Sequence, residues 1–482
     1  MRVLSRELIS DNFTGSIFSP RSVNETPAYT ETKESLCEKI DYWKYVLIEH
    51  CGAKKGDKVL LGSVSMSSDY VALAMAAAEL SLIITVVDIK QSFINRNEPD
   101  MKLKLLSPID LYFHDIVNLE HEMAVKFRFF IDYSEKAFYI GSLQNIEITD
   151  KERFEEIRNI RPDPSDVVML CTSSGTVSTP KVIAHTHEYF YELCKRNAKL
   201  LSGNVLHSQN LNHGSSASVF FFPSFCSDDV NHMFHAYVPG KMDNLVLSLQ
   251  NTNLNETIFA HRHIVDTFFE SMSRLGVKYP DLNIKVLSYI PSDYIDKVKD
   301  GTIKSIESIF GCNETCGPLL TNKLTAENAD TFDATIFQMV DDFYNITPDK
   351  QGLLVELPTY NKVVNTKDIF DIVSDGYKHV GRSDILRVND VDVDQLFIQE
   401  ISKKYDNNLI VVIDILENLL YLALSPAIQN IEQTVDEINL LIRERHGTDR
   451  LNISKYDVLD LETFVYGVKI DNELLREHFR RR

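Results

Sequence analysis

The apolar run Val167-Val168-Met169-Leu170 leads into Thr172-Ser173-Ser174-Gly175-Thr176-Val177-Ser178-Thr179-Pro180-Lys181, and this junction constrains the chain more than any other stretch. Six hydroxyl side chains, one glycine, one proline and one lysine fall within those ten residues. A strand that ends in a donor-rich loop suits a polyphosphate, because backbone N–H groups, hydroxyls and an ammonium can all face phosphate oxygens. A solvated Ser/Thr loop between periodic segments fits the same composition. A Walker-type phosphate loop is excluded: no second glycine precedes Lys181, and Val182 rather than Ser or Thr follows it.

Around this junction the chain reads as α/β. Leu36, Ile40, Trp43, Val46 and Leu47 recur at helical spacing between Thr32 and Ile48, with Trp43 on the core face. Residues 56–62 read as a turn feeding a buried strand, Ser68 to Leu80 as an Ala-rich helix, and Ser81 to Val87 as a second strand; this order makes a βαβ unit and a parallel sheet. Further strand-like runs are Phe127–Ile131, Val219–Phe222, Leu245–Leu247 and Val286–Ile290, while residues 1–30 read as an irregular surface arm. A helix is expected from His187 to Ser202, and another from Asn472 to Phe479.

Several classes of function fall away on composition. A net charge of -20 argues against nucleic acid as a partner, since phosphate backbones need a basic face. Seven scattered cysteines without a CxxC pair imply neither a disulfide framework nor a zinc site, and point to a reducing cytoplasm. Met1 to Glu7 lacks the apolar core of a signal peptide, and the longest apolar segment, Val71 to Val87, is interrupted by Glu79, so no membrane span is expected. His185 and His187 form a His-x-His pair, but no third ligand is apparent nearby, so the sequence assigns it no metal.

The loop resembles the signature loop of the adenylate-forming superfamily, which comprises acyl-CoA synthetases, peptide-synthetase adenylation domains and luciferases. Ser173, Ser174, Gly175, Thr176, Pro180, Lys181 and the pair Thr186-His187 fit that signature, whereas Thr172 replaces an aromatic residue, Val177 a threonine, and Ser178 and Val182 glycines. Three more motifs follow in the family's order. Phe310-Gly311-Cys312-Asn313-Glu314 is similar to its Tyr-Gly-x-Thr-Glu, with Asn313 in place of Thr; Thr366-Lys367-Asp368 to its Thr-Gly-Asp, followed by Gly381-Arg382-Ser383-Asp384 for Gly-Arg-x-Asp; and Gly467-Val468-Lys469-Ile470-Asp471 to its Ser-Gly-Lys-Ile-Asp.

The resemblance implies a large N-terminal domain of stacked βαβ-type sheets over residues 1–382 and a small, mobile α+β C-terminal domain over 383–482, hinged at Asp384. It implies ATP and Mg2+ as cofactors. Lys469 and Lys181 are then the catalytic cations, Glu314 the magnesium ligand, and Thr172, Ser173, Ser174, Gly175, Thr176, Phe310, Gly311, Asn313, Asp368 and Arg382 the nucleotide-binding set. The acid pocket maps to His213, Gly214 and Ser216; Ser216 stands where α-amino-acid domains usually carry Asp, which favours an acid without an α-amino group.

The implied activity is that of an ATP-dependent ligase converting a small carboxylic acid to acyl-AMP with release of pyrophosphate, then passing the acyl group to an acceptor. Coenzyme A, the pantetheine of an acyl carrier protein, and an amine all stay open as acceptors, because Asp390 stands where the family has a glycine on the thiol path. A catalytically silent nucleotide- or acyl-binding relative is the competing reading, supported by the missing glycines at 178, 182 and 390.

Overall fold

The computed structural model describes every residue except 1–2, 12, 18–28, 63–66, 87–105, 107, 115–133, 173–180, 202, 208–215, 228–229, 235–241, 250–255, 260–261, 288–289, 359, 361, 383–385, 390, 394–397, 399–400, 403, 406–407, 415–416, 418, 447, 462–464, 467–468, 471 and 482.

The predicted βαβ unit is present. Strands Lys58–Leu61 and Ile83–Thr85 pair in parallel and are joined through helix Ser68–Glu79. Ser67 caps that helix by accepting from the Tyr70 N–H, and its Ala- and Leu-rich interior favours helix intrinsically. Every residue of it except Asp69 is buried, as expected of a helix that is apolar all round. It shares the main core with helix Lys33–Tyr45, which starts in a capping box between Thr32 and Ser35. Trp43 is fully buried on the face that its spacing predicts, and its indole N–H donates to Asp69 Oδ1 at 3.0 Å.

Two large sheets flank this core. One has six strands in the order Ser134–Tyr139, Ile109–His114, Lys58–Leu61, Ile83–Thr85, Val167–Thr172, Val182–Thr186. All its neighbours are parallel except the last two, which form an antiparallel hairpin at the sheet edge. The other has eleven strands; at its centre Val230–Phe234, Gly203–His207, Glu256–Phe259, Tyr279–Val286 and Ile303–Cys312 run parallel, and the chain then turns back through Gly317–Thr325. Strands Asp368–Val373 and Gly376–Arg382 close its far edge.

Some expectations fail for physical reasons. The Val219–Phe222 run lies in helical turns, Ser216–Phe221 and Phe222–Ser224, and Leu245–Leu247 lies inside helix Met242–Leu249. A short apolar run cannot by itself separate a buried helix from a buried strand. The N-terminal arm is not a loose surface segment: Val3, Leu4, Ile9 and Phe13 are buried, and Thr14–Ile17 joins the eleven-stranded sheet beside Val230–Phe234. The 279–286 strand ends at Val286, and Phe127–Ile131 lies outside the described residues.

Residues beyond 386 build their own apolar clusters. One is confined to Val388–Leu451, the other to Ile410–Phe479. Strands Leu409–Asp414 and Leu419–Leu424 pair antiparallel, Ile453–Val458 adds in parallel, and helices Ile431–His446 and Asn472–Arg481 accompany them. Among the described residues no helix is long and apolar enough to cross a membrane.

Candidate functional site

The signature loop is the tip of the hairpin formed by Val167–Thr172 and Val182–Thr186. The Phe310–Glu314 motif sits at the end of strand Ile303–Cys312, in the turn before Gly317–Thr325. The fold ties these two turns together. Asn313 Nδ2 donates to the Thr172 carbonyl at 2.6 Å, and His185 Nε2, on the opposite strand of the hairpin, donates to the Asn313 carbonyl at 3.0 Å. The Asn313 amide thus clasps the strand end from which the 173–180 segment departs.

The turn itself is tightly determined. A Cβ on Gly311 would stand 2.5 Å from the Gly317 carbonyl oxygen, a backbone atom, so this position needs glycine for close approach; one on Gly317 would stand 2.6 Å from Leu193 Cδ1, which would have to shift. Tyr344 donates to the Thr315 carbonyl at 2.9 Å and Tyr189 donates to the same oxygen. Burial raises the pKa of both phenols and, helped by the Glu314 charge, pushes the Cys312 thiol up to about 12, so all three stay neutral around the turn. Glu314 is half-buried in this turn and carries a hard carboxylate oxygen, the donor type that Mg2+ takes while keeping waters in its shell.

The third motif joins through aromatic packing. Phe310 meets Phe370 edge-on at 5.2 Å between ring centroids, and Phe370 meets His379 at 4.9 Å. His379 Nε2 lies 3.3 Å from Asp368 Oδ1, while strand register sets Asp368 directly opposite Arg382. Three segments separated by more than fifty residues of chain therefore converge: the loop base at Thr172, the Phe310–Glu314 turn, and the Asp368/Arg382 strand pair.

No family model matches the sequence, and no curated protein matches it. Solved structures do match in fold. The O-succinylbenzoate coenzyme A synthetase MenE of Bacillus subtilis, in complex with ATP and magnesium ion, superposes with a TM-score of 0.67 at 14% identity, over 93% of this chain and 95% of that one. McyG A-PCP complexed with phenylalanyl-adenylate gives 0.68 at 14% identity, over 98% and 81%. The anthranilate CoA ligase AuaEII in complex with anthranoyl-AMP gives 0.61 at 14% identity, over 94% and 93%. The chain has the adenylate-forming fold.

Other candidate residues are placed more sparsely on this adenylate-forming fold. Lys181 is exposed at the foot of the Val182–Thr186 strand. Lys469 lies in a two-residue strand opposite Tyr466, and the description of Lys469, Arg382 and Ser216 is confined to their backbones. Ser173, Ser174, Gly175, Thr176, His213, Gly214 and Asp384 lie outside the described residues. His379, Tyr189 and Tyr344 carry no motif in the sequence, because their partners are set by strand pairing and by contacts distant in the chain.

Lys367 stands where the adenylate-forming signature has glycine, and it keeps a glycine's backbone, with φ at +69°. Its N–H donates to Asn365 Oδ1 at 2.8 Å, which holds the turn despite the side chain. A left-handed L-residue costs roughly 1–2 kcal/mol, partly offset in a glycine variant by the entropy of the unfolded chain. Lys367→Gly is therefore expected to raise stability by up to about 1 kcal/mol, read as a higher urea midpoint at unchanged slope.

Proposed function

We propose that this chain is an ATP-dependent carboxylate ligase that activates an acid as acyl-AMP, releases pyrophosphate and then transfers the acyl group, with a thiol of coenzyme A or of a carrier-protein pantetheine as the acceptor. The observation that carries the reading is the joining of Thr172, the Phe310–Glu314 turn and Asp368 into one constellation through Asn313, Phe310 and His379. Those links join three of the four motifs that follow the family's order, which supports a shared nucleotide site.

In this reading the acid's carboxylate oxygen attacks the α-phosphorus of ATP, the bond to the bridging oxygen breaks, and pyrophosphate leaves. Phosphoryl transfer asks a protein mainly for positioning and for charge opposite the developing negative oxygens. Asp368 accepts from the ribose hydroxyls, with Arg382 beside it across the strand pair. Phe310 and Gly311 border the base and α-phosphate. Asn313 holds the loop base, the 172–181 loop with Lys181 covers the outer phosphates, and Lys469 compensates charge at the reacting phosphate. Glu314 would hold Mg2+, which when bound neutralises phosphate charge. The acceptor sulfur then attacks the acyl carbonyl and AMP departs.

We place the boundary of the moving part at 382/383, with Asp384 as its hinge and residues 383–482 as a lid that brings Lys469 in and keeps water from the acyl-adenylate. The separate apolar clusters beyond Val388 support a unit with its own core. Pocket residues His213, Gly214 and Ser216 would receive an acid without an α-amino group. The test is pyrophosphate release from ATP across a panel of carboxylic acids, each with and without coenzyme A. Release that depends on one acid is expected, and stimulation by coenzyme A assigns the acceptor. ATP binding without release for any acid, alone or with a carrier protein, would sink the catalytic reading in favour of a nucleotide-binding relative.

A further inference from the structure

Behind the candidate loop the fold gathers three side chains that the sequence keeps far apart. Cys171 and His185 lie on the two strands of the hairpin, and Cys316 is delivered by the turn that follows Asn313. All three are almost completely buried, at 2%, 1% and 3% exposure. One ligating atom from each falls within 4.8 Å of the others. The Asn313 carbonyl oxygen belongs to the same group, 4.0 Å from Cys171 Sγ and 3.0 Å from His185 Nε2, while Nε2 is 4.0 Å from Cys171 Sγ. His187, the other half of the His-x-His pair, takes no part; its Nδ1 accepts from the Leu4 N–H at 3.2 Å.

We propose that Cys171, His185 and Cys316 form a buried site for a thiophilic divalent cation of the zinc class, with the Asn313 carbonyl at the fourth position. Bond lengths of about 2.0–2.3 Å to N, O and S make the edges of a tetrahedral zinc site about 3.3–3.8 Å. The Cys171 Sγ edges to His185 Nε2 and to the Asn313 carbonyl, both 4.0 Å, need to close by about 0.5 Å to reach that geometry, and the edges to Cys316 Sγ from Cys171 and His185 start from no more than 4.8 Å. Two thiolates and an imidazole select zinc over the hard Mg2+ assigned to Glu314. On binding, the two thiols release their protons to solvent, and His185 presents the Nε2 lone pair with its ring hydrogen on Nδ1, a buried atom with no hydrogen-bond partner among the described residues. The ion joins the hairpin that carries the signature loop to the turn that carries Glu314, replacing the single His185 to Asn313 hydrogen bond by coordination. This role is structural and stands or falls independently of the adenylation reading.

The test is metal analysis of the untagged full-length chain, purified from zinc-supplemented cells and dialysed. About one zinc per chain is expected, a stoichiometry typical of a closed structural site. Chain stripped under denaturing, reducing conditions and refolded with Co2+ alone should show the intense thiolate-to-cobalt absorption, and Cys171→Ser and Cys316→Ser should lose it. Because those variants also touch the core, the wild-type cobalt spectrum decides the matter if they fold poorly. Zinc below about a tenth of an equivalent together with no thiolate–cobalt band overturns the proposal. So does zinc retained by the double cysteine variant, or a Cys171–Cys316 disulfide in the purified chain.

Discussion

Lys469→Ala is expected to lower acid-dependent pyrophosphate release by about 10²–10³-fold, the range seen when one preorganised charge-stabilising group is removed from a transition state. ATP binding should change little, because the nucleotide contacts proposed above come from the Thr172 loop base, the Phe310–Glu314 turn and the Asp368/Arg382 pair. The two readouts separate a catalytic lysine from a structural one. Among the described residues Lys469–Ile470 pairs with Val465–Tyr466 in a short antiparallel hairpin, and urea unfolding of the variant checks that the substitution removes the ammonium without loss of fold. If the second half-reaction uses a different face of the lid, transfer from a supplied acyl-adenylate to the acceptor should stay near the wild-type rate in the same variant. Wild-type pyrophosphate release in Lys469→Ala would refute the assignment, and a parallel fall in ATP affinity would recast the residue as a binding group.

What the sequence disclosed and what it hid divide along a physical line. The βαβ unit over 58–85 and the Trp43 face were legible because each is a local period, set by residues within a turn or two of one another. The apolar runs at 219–222 and 245–247 were misread as strands because length and hydrophobicity alone carry no period. The candidate site was legible as motifs, each a fixed spacing that chemistry requires. What joins the motifs was not. Asn313 meets Thr172 across 141 residues, and His379 reaches Asp368 only because a hairpin folds one strand onto the next. The same holds for Cys171, His185 and Cys316, whose cluster depends on antiparallel register at one sheet edge and a turn from the other sheet.

The N-terminal arm provides the largest expected loss of stability. Glu79, near the end of the buried helix, is fully inaccessible and accepts from Arg6 at four contacts: the backbone N–H at 2.8 Å, Nε at 2.9 and 3.2 Å, and Nη2 at 2.7 Å. Lys44, also fully buried, adds a contact at 3.1 Å and spends its other donors on the Arg158 and Ile160 carbonyls. Glu79→Gln leaves Lys44 in the core without its anion and Arg6 with Asp41 alone, and breaking a buried pair from one side costs about 3–5 kcal/mol. Burial works to raise the Glu79 pKa, but the Arg6 hydrogen bonds and charge outweigh it and hold the carboxyl below its ordinary 4.5. Its stabilisation is therefore complete above pH 4.5 and is lost as pH falls below that value toward the lowered folded-state pKa, so the wild type should lose stability in acid more steeply than the variant. Lys44 is itself displaced down to about 8, chiefly by burial, and releases its proton more readily once Glu79 is gone. That makes the double variant Glu79→Leu with Lys44→Met the deciding measurement. Replacing both partners by apolar groups should recover most of the loss in urea unfolding, because the penalty lies in the unpaired charge. A double variant no more stable than Glu79→Gln would mean instead that Glu79 acts mainly through Arg6, as the clamp that holds Leu4 and Ile9 against the core.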